Sequence, residues 1–306
     1  MRRLCCFLVL FCFAACSDSA GKRRIVVGFS QCNGEEPWRV LFDKEIKARA
    51  EELGVELLYS DAQNDVDQQR AHIRTFVQKE VDALLVSPKD AKTQTAAIEA
   101  AMDQGIPVFV LDRGVDSKKY SCYVGGDNYA IGRAAGAHAA KLLGHEGKVI
   151  EIWGGKTSTP AQNRSKGFHD AIEKHPGIEI IAEQEANWNR DEARRVMQSL
   201  LKAHEEIDLV YGHNDPMAIG AWLAAKEAGR EKDMLFLGID GNPGAVGGCQ
   251  AVLDGKLAAT FLYPTPGGRA LELCVAMLRD GVAPPRDLKL PTVTITKENA
   301  AEYAGK

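Results

Sequence analysis

A chain of 306 residues with 45% hydrophobic and 26% charged residues can build one large or two medium cores, which excludes a disordered or collagen-like polypeptide. Its formal net charge is -4, with no basic block and no aromatic-basic stripe, so nucleic acid and other polyanions are excluded as partners. Eight cysteines occur without a CxxC pair or a zinc spacing, and no metal or other cofactor is expected.

In chain order, Arg2 and Arg3 precede an apolar stretch from Leu4 to Ala15. It is too short to span a bilayer and is shaped like an export signal covering residues 1–15. The stretch ends Phe13-Ala14-Ala15-Cys16, and small residues before a cysteine are similar to the bacterial lipoprotein box, in which the new N-terminal cysteine is acylated. Phe13 stands where Leu is usual, and ordinary signal cleavage near the same point also fits. Cleavage removes two positive charges, taking the formal charge from -4 to -6. Cys5, Cys6, Cys12 and Cys16 lie in this signal region, leaving Cys32, Cys122, Cys249 and Cys274 for the folded chain. These read as buried unpaired thiols, with one disulfide left open in an exported chain.

Ten strands are expected next, at Ile25–Ser30, Val55–Ser60, Ala83–Ser87, Pro107–Leu111, Cys122–Gly125, Val149–Trp153, Ile178–Glu183, Leu209–His213, Leu235–Ile239 and Ala259–Leu262. Most are near-continuous apolar runs, as strands buried on both faces require, and this favours parallel sheets. Between them, Ile73, Phe76 and Val77, or Val196, Met197, Leu200 and Leu201, recur at three- and four-residue spacings and give each helix one apolar stripe. Gly54, Gly105 and Gly229 stand where helices should stop.

The pattern predicts an α/β chain of two doubly wound parallel-sheet domains joined by short crossovers, with about five strands each. Strand ends of such sheets face one crevice. Ser30, Asp112 with Arg113, Trp188, Asn214 and Asp240 follow the apolar runs directly and would share a cleft able to hold a polyhydroxylated ring.

Val27-Gly28-Phe29-Ser30-Gln31, Pro37-Trp38-Arg39, Leu111-Asp112-Arg113, Asp127-Asn128, Arg164 with Gly167-Phe168, His213-Asn214-Asp215 with Met217-Ala218-Ile219-Gly220, and Gly238-Ile239-Asp240-Gly241 run in order along the chain. Together they resemble the type I bacterial periplasmic sugar-binding proteins, the solute receptors of ABC importers, near those for ribose and galactofuranose. The resemblance runs from Ile25 to about Gly281. It implies an N-terminal lobe of residues 22–126 plus 264–290 and a C-terminal lobe of residues 127–263 plus 291–306. It further implies a monomeric receptor that captures a monosaccharide and delivers it to an importer permease, held to the membrane by a lipid on Cys16.

The residues argue the same chemistry. A sugar hydroxyl both donates and accepts, so Asp112 can take O–H donors while Arg113 supplies a planar fork of N–H donors. Asp240 would accept from the second lobe, and Asn214 can do both. Asp215 reads instead as a cap for the helix near Pro216. The C–H face of a sugar packs on an electron-rich indole, and the resemblance puts Trp38 and Trp188 on its two sides. Trp153 and Trp222 read as core or helix–sheet residues. By resemblance Arg39 and Arg164 contact ligand, with a helix-surface role as the rival, and Ser30 and Asn33 assist. Tyr263 stands where the ribose receptor uses a glutamine at a domain crossing, so the set of bound hydroxyls should differ.

Other classes fare poorly. Gly28-Phe29-Ser30-Gln31-Cys32 lacks the second glycine of a nucleophile elbow, and neither a P-loop, a dinucleotide fingerprint nor HExxH occurs. A carbohydrate-active enzyme would need Asp112 and Asp240 as its acid–base pair, but Arg113 beside Asp112 suits a hydrogen-bond acceptor better. Sugar-responsive repressors share the fold but carry a DNA-binding segment before the first strand. A receptor that presents sugar to a membrane sensor kinase remains the alternative to import.

Overall fold

The computed structural model describes residues 23–305; the expected signal at 1–15 and the acylation site Cys16 lie outside the described residues. No helix among the described residues is long and apolar enough to cross a membrane. Two α/β domains follow one another. The first runs β1 (Val26–Gln31), α1 (Pro37–Leu53), β2 (Glu56–Asp61), α2 (Val66–Gln78), β3 (Ala83–Val86), α3 (Ala91–Asp103), β4 (Val108–Leu111) and β5 (Cys122–Gly126). The second runs α4 (Asn128–Leu142), β6 (Glu146–Trp153), α5 (Thr159–Ile172), β7 (Gly177–Glu185), α6 (Arg190–Ala203), β8 (Leu209–Gly212), α7 (Asp215–Glu227), β9 (Leu235–Leu237), α8 (Gly248–Leu253) and β10 (Ala259–Phe261). The chain then recrosses through α9 (Gly267–Asp280) and β11 (Asp287–Leu290), and returns through β12 (Thr294–Thr296) and α10 (Ala300–Ala304).

Each sheet has six strands among the described residues, in the orders β11-β5-β4-β3-β1-β2 and β12-β10-β9-β8-β6-β7. All ten expected strands are present, and β11 and β12 complete the sheets. β11 joins β5 in parallel, while β12 is the antiparallel edge beside β10. The chain therefore crosses between sheets three times, by short segments at 126–128, 262–266 and 291–293.

The apolar runs follow from burial on two faces. In β1, β3 and β4, Val27, Phe29, Ala83, Leu85, Phe109 and Leu111 enter one core, while Leu84, Val86, Val108 and Val110 enter another. The first core continues into the second domain through Val149, Phe168, Leu209 and Tyr211. The outer face of the second sheet has its own core around Ile150, Ile152, Met197 and Phe236. Close helix packing sets one glycine: a Cβ on Gly132 of α4 would stand 2.1 Å from the carbonyl of Arg164 in α5, so only hydrogen lets these helices approach. The expected helix stops hold, with Gly54, Gly105 and Gly229 at φ 64°, 79° and 69°. Cys32, Cys122, Cys249 and Cys274 are buried free thiols.

Candidate functional site

The carboxyl ends of the parallel strands converge between the two sheets, as the topology demands. There a small space of about 20 Å3 is lined by Trp38 and Arg39 from the start of α1, Asp112 and Arg113 after β4, and Trp188 after β7. Arg164 of α5, Asn214 after β8, Asp240 after β9 and Tyr263 after β10 complete the set. Nine of the eleven positions singled out in the sequence thus share one cavity. Ser30 and Asn33 do not line it: Ser30 is fully buried with an unpartnered Oγ, and Asn33 bonds Glu36 and Asn64. Glu36 and Pro160 line it unforeseen.

The N-terminal wall is a connected network, with Arg39 Nε and Arg113 Nε buried without a hydrogen-bond partner. Arg39 is 2% exposed, which rules out the helix-surface role: its Nη2 meets Asp112 Oδ2 at 2.9 Å, and its Nη1 donates to Gln31 and Ser87. The Tyr263 hydroxyl donates to Asp112 Oδ1 at 2.7 Å and accepts from Asn128 Nδ2. Burial alone would raise the Asp112 carboxyl, but Arg39, Arg113 and the Tyr263 bond outweigh it and hold it below its usual value. Asp112 is therefore an anion already balanced within the protein, rather than the open acceptor expected from sequence. Arg113 donates to the Lys89 carbonyl, and its guanidinium lies 5.9 Å from the Trp188 ring across the cleft.

The C-terminal wall is built differently. Arg164, 2% exposed, donates to Asn128 Oδ1 and to the His213 carbonyl, and its guanidinium lies 4.4 Å from the Tyr263 ring and 5.5 Å from the Trp188 ring. Asp240 is 5% exposed, and its carboxylate accepts no hydrogen bond from the described residues. Burial and the neighbouring Asp215 push it well above the ordinary carboxylate range, against the pull of Arg164. Asp215 proves not to be the helix cap. Asn214 is, because it has the extended backbone a cap needs and its side chain accepts from Met217 N. Asp215 instead turns inward as the first helical residue and holds Thr260 Oγ1 and Gly241 N.

Backbone strain collects here. Asp112, Trp188 and Asp240 have φ of 63°, 66° and 135°, a region that costs a non-glycine residue on the order of 1–3 kcal/mol and persists where surroundings impose it. Trp188 is 8% exposed, less than the cleft exposure expected of it, because its indole lies over Gly154, where a Cβ would meet Cζ2 at 2.3 Å. Trp38 is pinned by its Nε1 bond to the Tyr263 carbonyl and by an edge contact with Phe42. Behind Asn214, His213 Nε2 bonds the buried Glu151, which also binds His169. Burial opposes the Glu151 charge, yet the two imidazoles hold its value down to about 2.

A two-domain α/β layout with a polar cavity at the strand ends now has relatives to be set against. The sequence profile of the periplasmic binding protein domain matches residues 27–281. The chain belongs to the periplasmic binding protein family. It is similar to the ribose import binding protein of Bacillus subtilis (strain 168), 34% identical over 83% of this chain and 84% of the relative. It is also 36% identical to the galactofuranose-binding protein of Escherichia coli (strain K12), over 93% and 90% of the two chains. Among solved structures, the fructose-binding periplasmic domain of a hybrid two-component system superposes with a TM-score of 0.88 at 39% identity, covering 91% of this chain and 93% of that one. These relatives are sugar-binding receptors, and this periplasmic binding protein is likewise a type I solute receptor, not an enzyme, with an extracytoplasmic place of work.

Glu36 could have been found in the sequence, since it precedes Pro37 at the start of a helix facing the crevice. Pro160 gives the same signal, as the proline in the first turn of α5.

Proposed function

We propose that this receptor captures a neutral, monosaccharide-sized polyol in the small cavity, between the indoles of Trp38 and Trp188, and delivers it to an ABC importer. The observation that carries the reading is the convergence of three guanidiniums, two aspartates, an amide and a phenol on one buried space between the lobes. Such a rim suits a ring of hydroxyls, which donate and accept together. Ser30 and Asn33 support it from behind. The division into lobes at residues 22–126 with 264–290, and 127–263 with 291–306, follows the pairing of β11 with β5 and of β12 with β10. A space of about 20 Å3 holds little more than a water molecule, so a sugar enters only when the walls part. Closure is then a hinge motion at the three crossovers.

Calorimetry with D-ribose, D-galactose, D-fructose and myo-inositol tests the ligand class: micromolar or tighter binding of one of them is expected, together with a smaller radius of gyration by small-angle scattering. No binding by any neutral sugar or polyol would sink the reading.

A second reading, presentation of sugar to a membrane sensor kinase, is favoured by the similarity to the two-component receptor domain. A permease and ATPase encoded beside the gene would support uptake; a histidine kinase would support sensing. The mature receptor is proposed to be a monomer cleaved before Cys16 and tethered by acyl chains there, two or more being needed for firm anchoring. Incorporation of labelled palmitate, lost in Cys16→Ser, is the expected result, and equal soluble fractionation without label rules the tether out.

A further inference from the structure

Beside the small cavity a groove of about 510 Å3 runs between the lobes. That is within the range of small-molecule sites, roughly 300–1,000 Å3. Glu36 and Trp188 line both spaces, so one carboxylate and one indole form the partition between them. Both spaces are partly open, and they meet along Glu36 and Trp188. A group attached to a ring in the cavity can therefore extend past these two side chains into the groove.

The groove carries a polar anchor of its own. Asn242 is 9% exposed and lines it, yet its carboxamide makes no hydrogen bond with any described residue. The side chain is held in place by its own backbone, whose carbonyl accepts from Cys249 N and whose N–H reaches Asp215. An amide on the groove wall with no partner in the protein has its donor and its acceptor free for a ligand's hydroxyls. The apolar share comes from Pro216, Ile219 and the 90% exposed Val246, against which a C–H face can pack. Charge narrows the class further: Glu35, Glu36, Asp191 and Asp215 outnumber Arg190 and Lys256 on the walls, which opposes an anionic group such as a sugar phosphate.

We infer that the groove is a second saccharide subsite, so that the receptor takes a glycoside with one ring in the cavity and a neutral second ring against Asn242 and Val246. The inference rests on the sugar-binding reading above. Glu36 and the Trp188 indole then act on both rings at once, and the glycosidic oxygen lies beside them.

The test is calorimetry of the full mature chain with free sugars and with disaccharides that contain them: D-fructose against sucrose and inulobiose, D-galactose against lactose and melibiose. At least one disaccharide is expected to bind at least fivefold tighter than its free component. Asn242→Ala should weaken that disaccharide at least fivefold and leave the free sugar within twofold. Val246→Arg, at an exposed position that folding does not depend on, should weaken the disaccharide likewise. Binding of free sugars with every disaccharide weaker would overturn the second subsite and leave the sugar-binding reading standing, as would equal losses for both ligands in both variants. No binding by any member of the panel would overturn both.

Discussion

On the N-terminal wall of the cavity the Asp112 carboxylate accepts from Arg39 and Tyr263, while on the C-terminal wall the Asp240 carboxylate accepts from no described residue. Both carboxylates are nearly inaccessible, at 2% and 5% exposure. Burial raises each, and only Asp112 has enough cationic and hydrogen-bonding company to be pulled below its usual value. The Asp112 carboxylate is therefore already satisfied, although Arg39 Nε and Arg113 Nε beside it are buried without a hydrogen-bond partner, whereas the partners of Asp240 must come with the ligand. Preorganised partners cost nothing to order on binding; unsatisfied ones give the ligand a group to bond.

The largest expected effect breaks the first wall. Asp112→Ala leaves Arg39 and Arg113 facing each other with their carboxylate gone, and removing one member of a buried pair costs about 3–5 kcal/mol. Urea unfolding should show a loss of that size, and calorimetry should show no sugar binding at micromolar concentrations. A stability within 1 kcal/mol of wild type would mean that the arginines are solvated and the wall is not the connected network described above.

Asp240→Asn should separate stability from function. The folded-state value of Asp240 lies above its ordinary value of 3.8, so the stability this carboxyl contributes is complete below that pH and is lost as pH rises through the folded value. The amide does not titrate. The variant should match wild type near pH 4 and exceed it by about 1 kcal/mol or more near pH 8, measured by unfolding at both values. Sugar affinity should fall by up to about tenfold, since a typical hydrogen bond contributes roughly 0.5–1.5 kcal/mol. A stability gap that stays constant across this pH range would show that Asp240 is ionised and compensated, like Asp112.

The two walls were legible to different degrees. Both sheets follow from near-continuous apolar runs, and the residues behind them meet at the strand ends because parallel topology leaves them no other place. β11 and β12 were missed because Asp287-Leu288-Lys289-Leu290 and Thr294-Ile295-Thr296 alternate like half-exposed edge strands and are only four and three residues long. Among the side chains, sequence named Asp112 and Asp240 as equivalent acceptors. What distinguishes them is set by long-range contacts, from Arg39 in α1 and Tyr263 at a crossover, which no local pattern encodes. The positive φ of Asp112, Trp188 and Asp240 was equally hidden, since none is a glycine. Asp215 was misread because Asx residues in tandem before Pro216 both suit a cap, and only the backbone decides between them.

The smallest expected effect tests the joint between the walls. The Tyr263 hydroxyl touches both Asp112, on the first wall, and Asn128, which in turn bonds Arg164 of the other wall. Tyr263→Phe keeps the ring against Trp38 and Arg164 but removes a donor to Asp112 and an acceptor for Asn128. Arg39 still neutralises Asp112, so stability should fall by only about 1 kcal/mol, the net worth of a typical hydrogen bond. Affinity should fall two- to tenfold by calorimetry, because closure must now align the walls without their shared contact. A loss as large as that of Asp112→Ala, with the fold intact by circular dichroism, would instead make the phenol a direct ligand contact and the two walls one continuous binding surface.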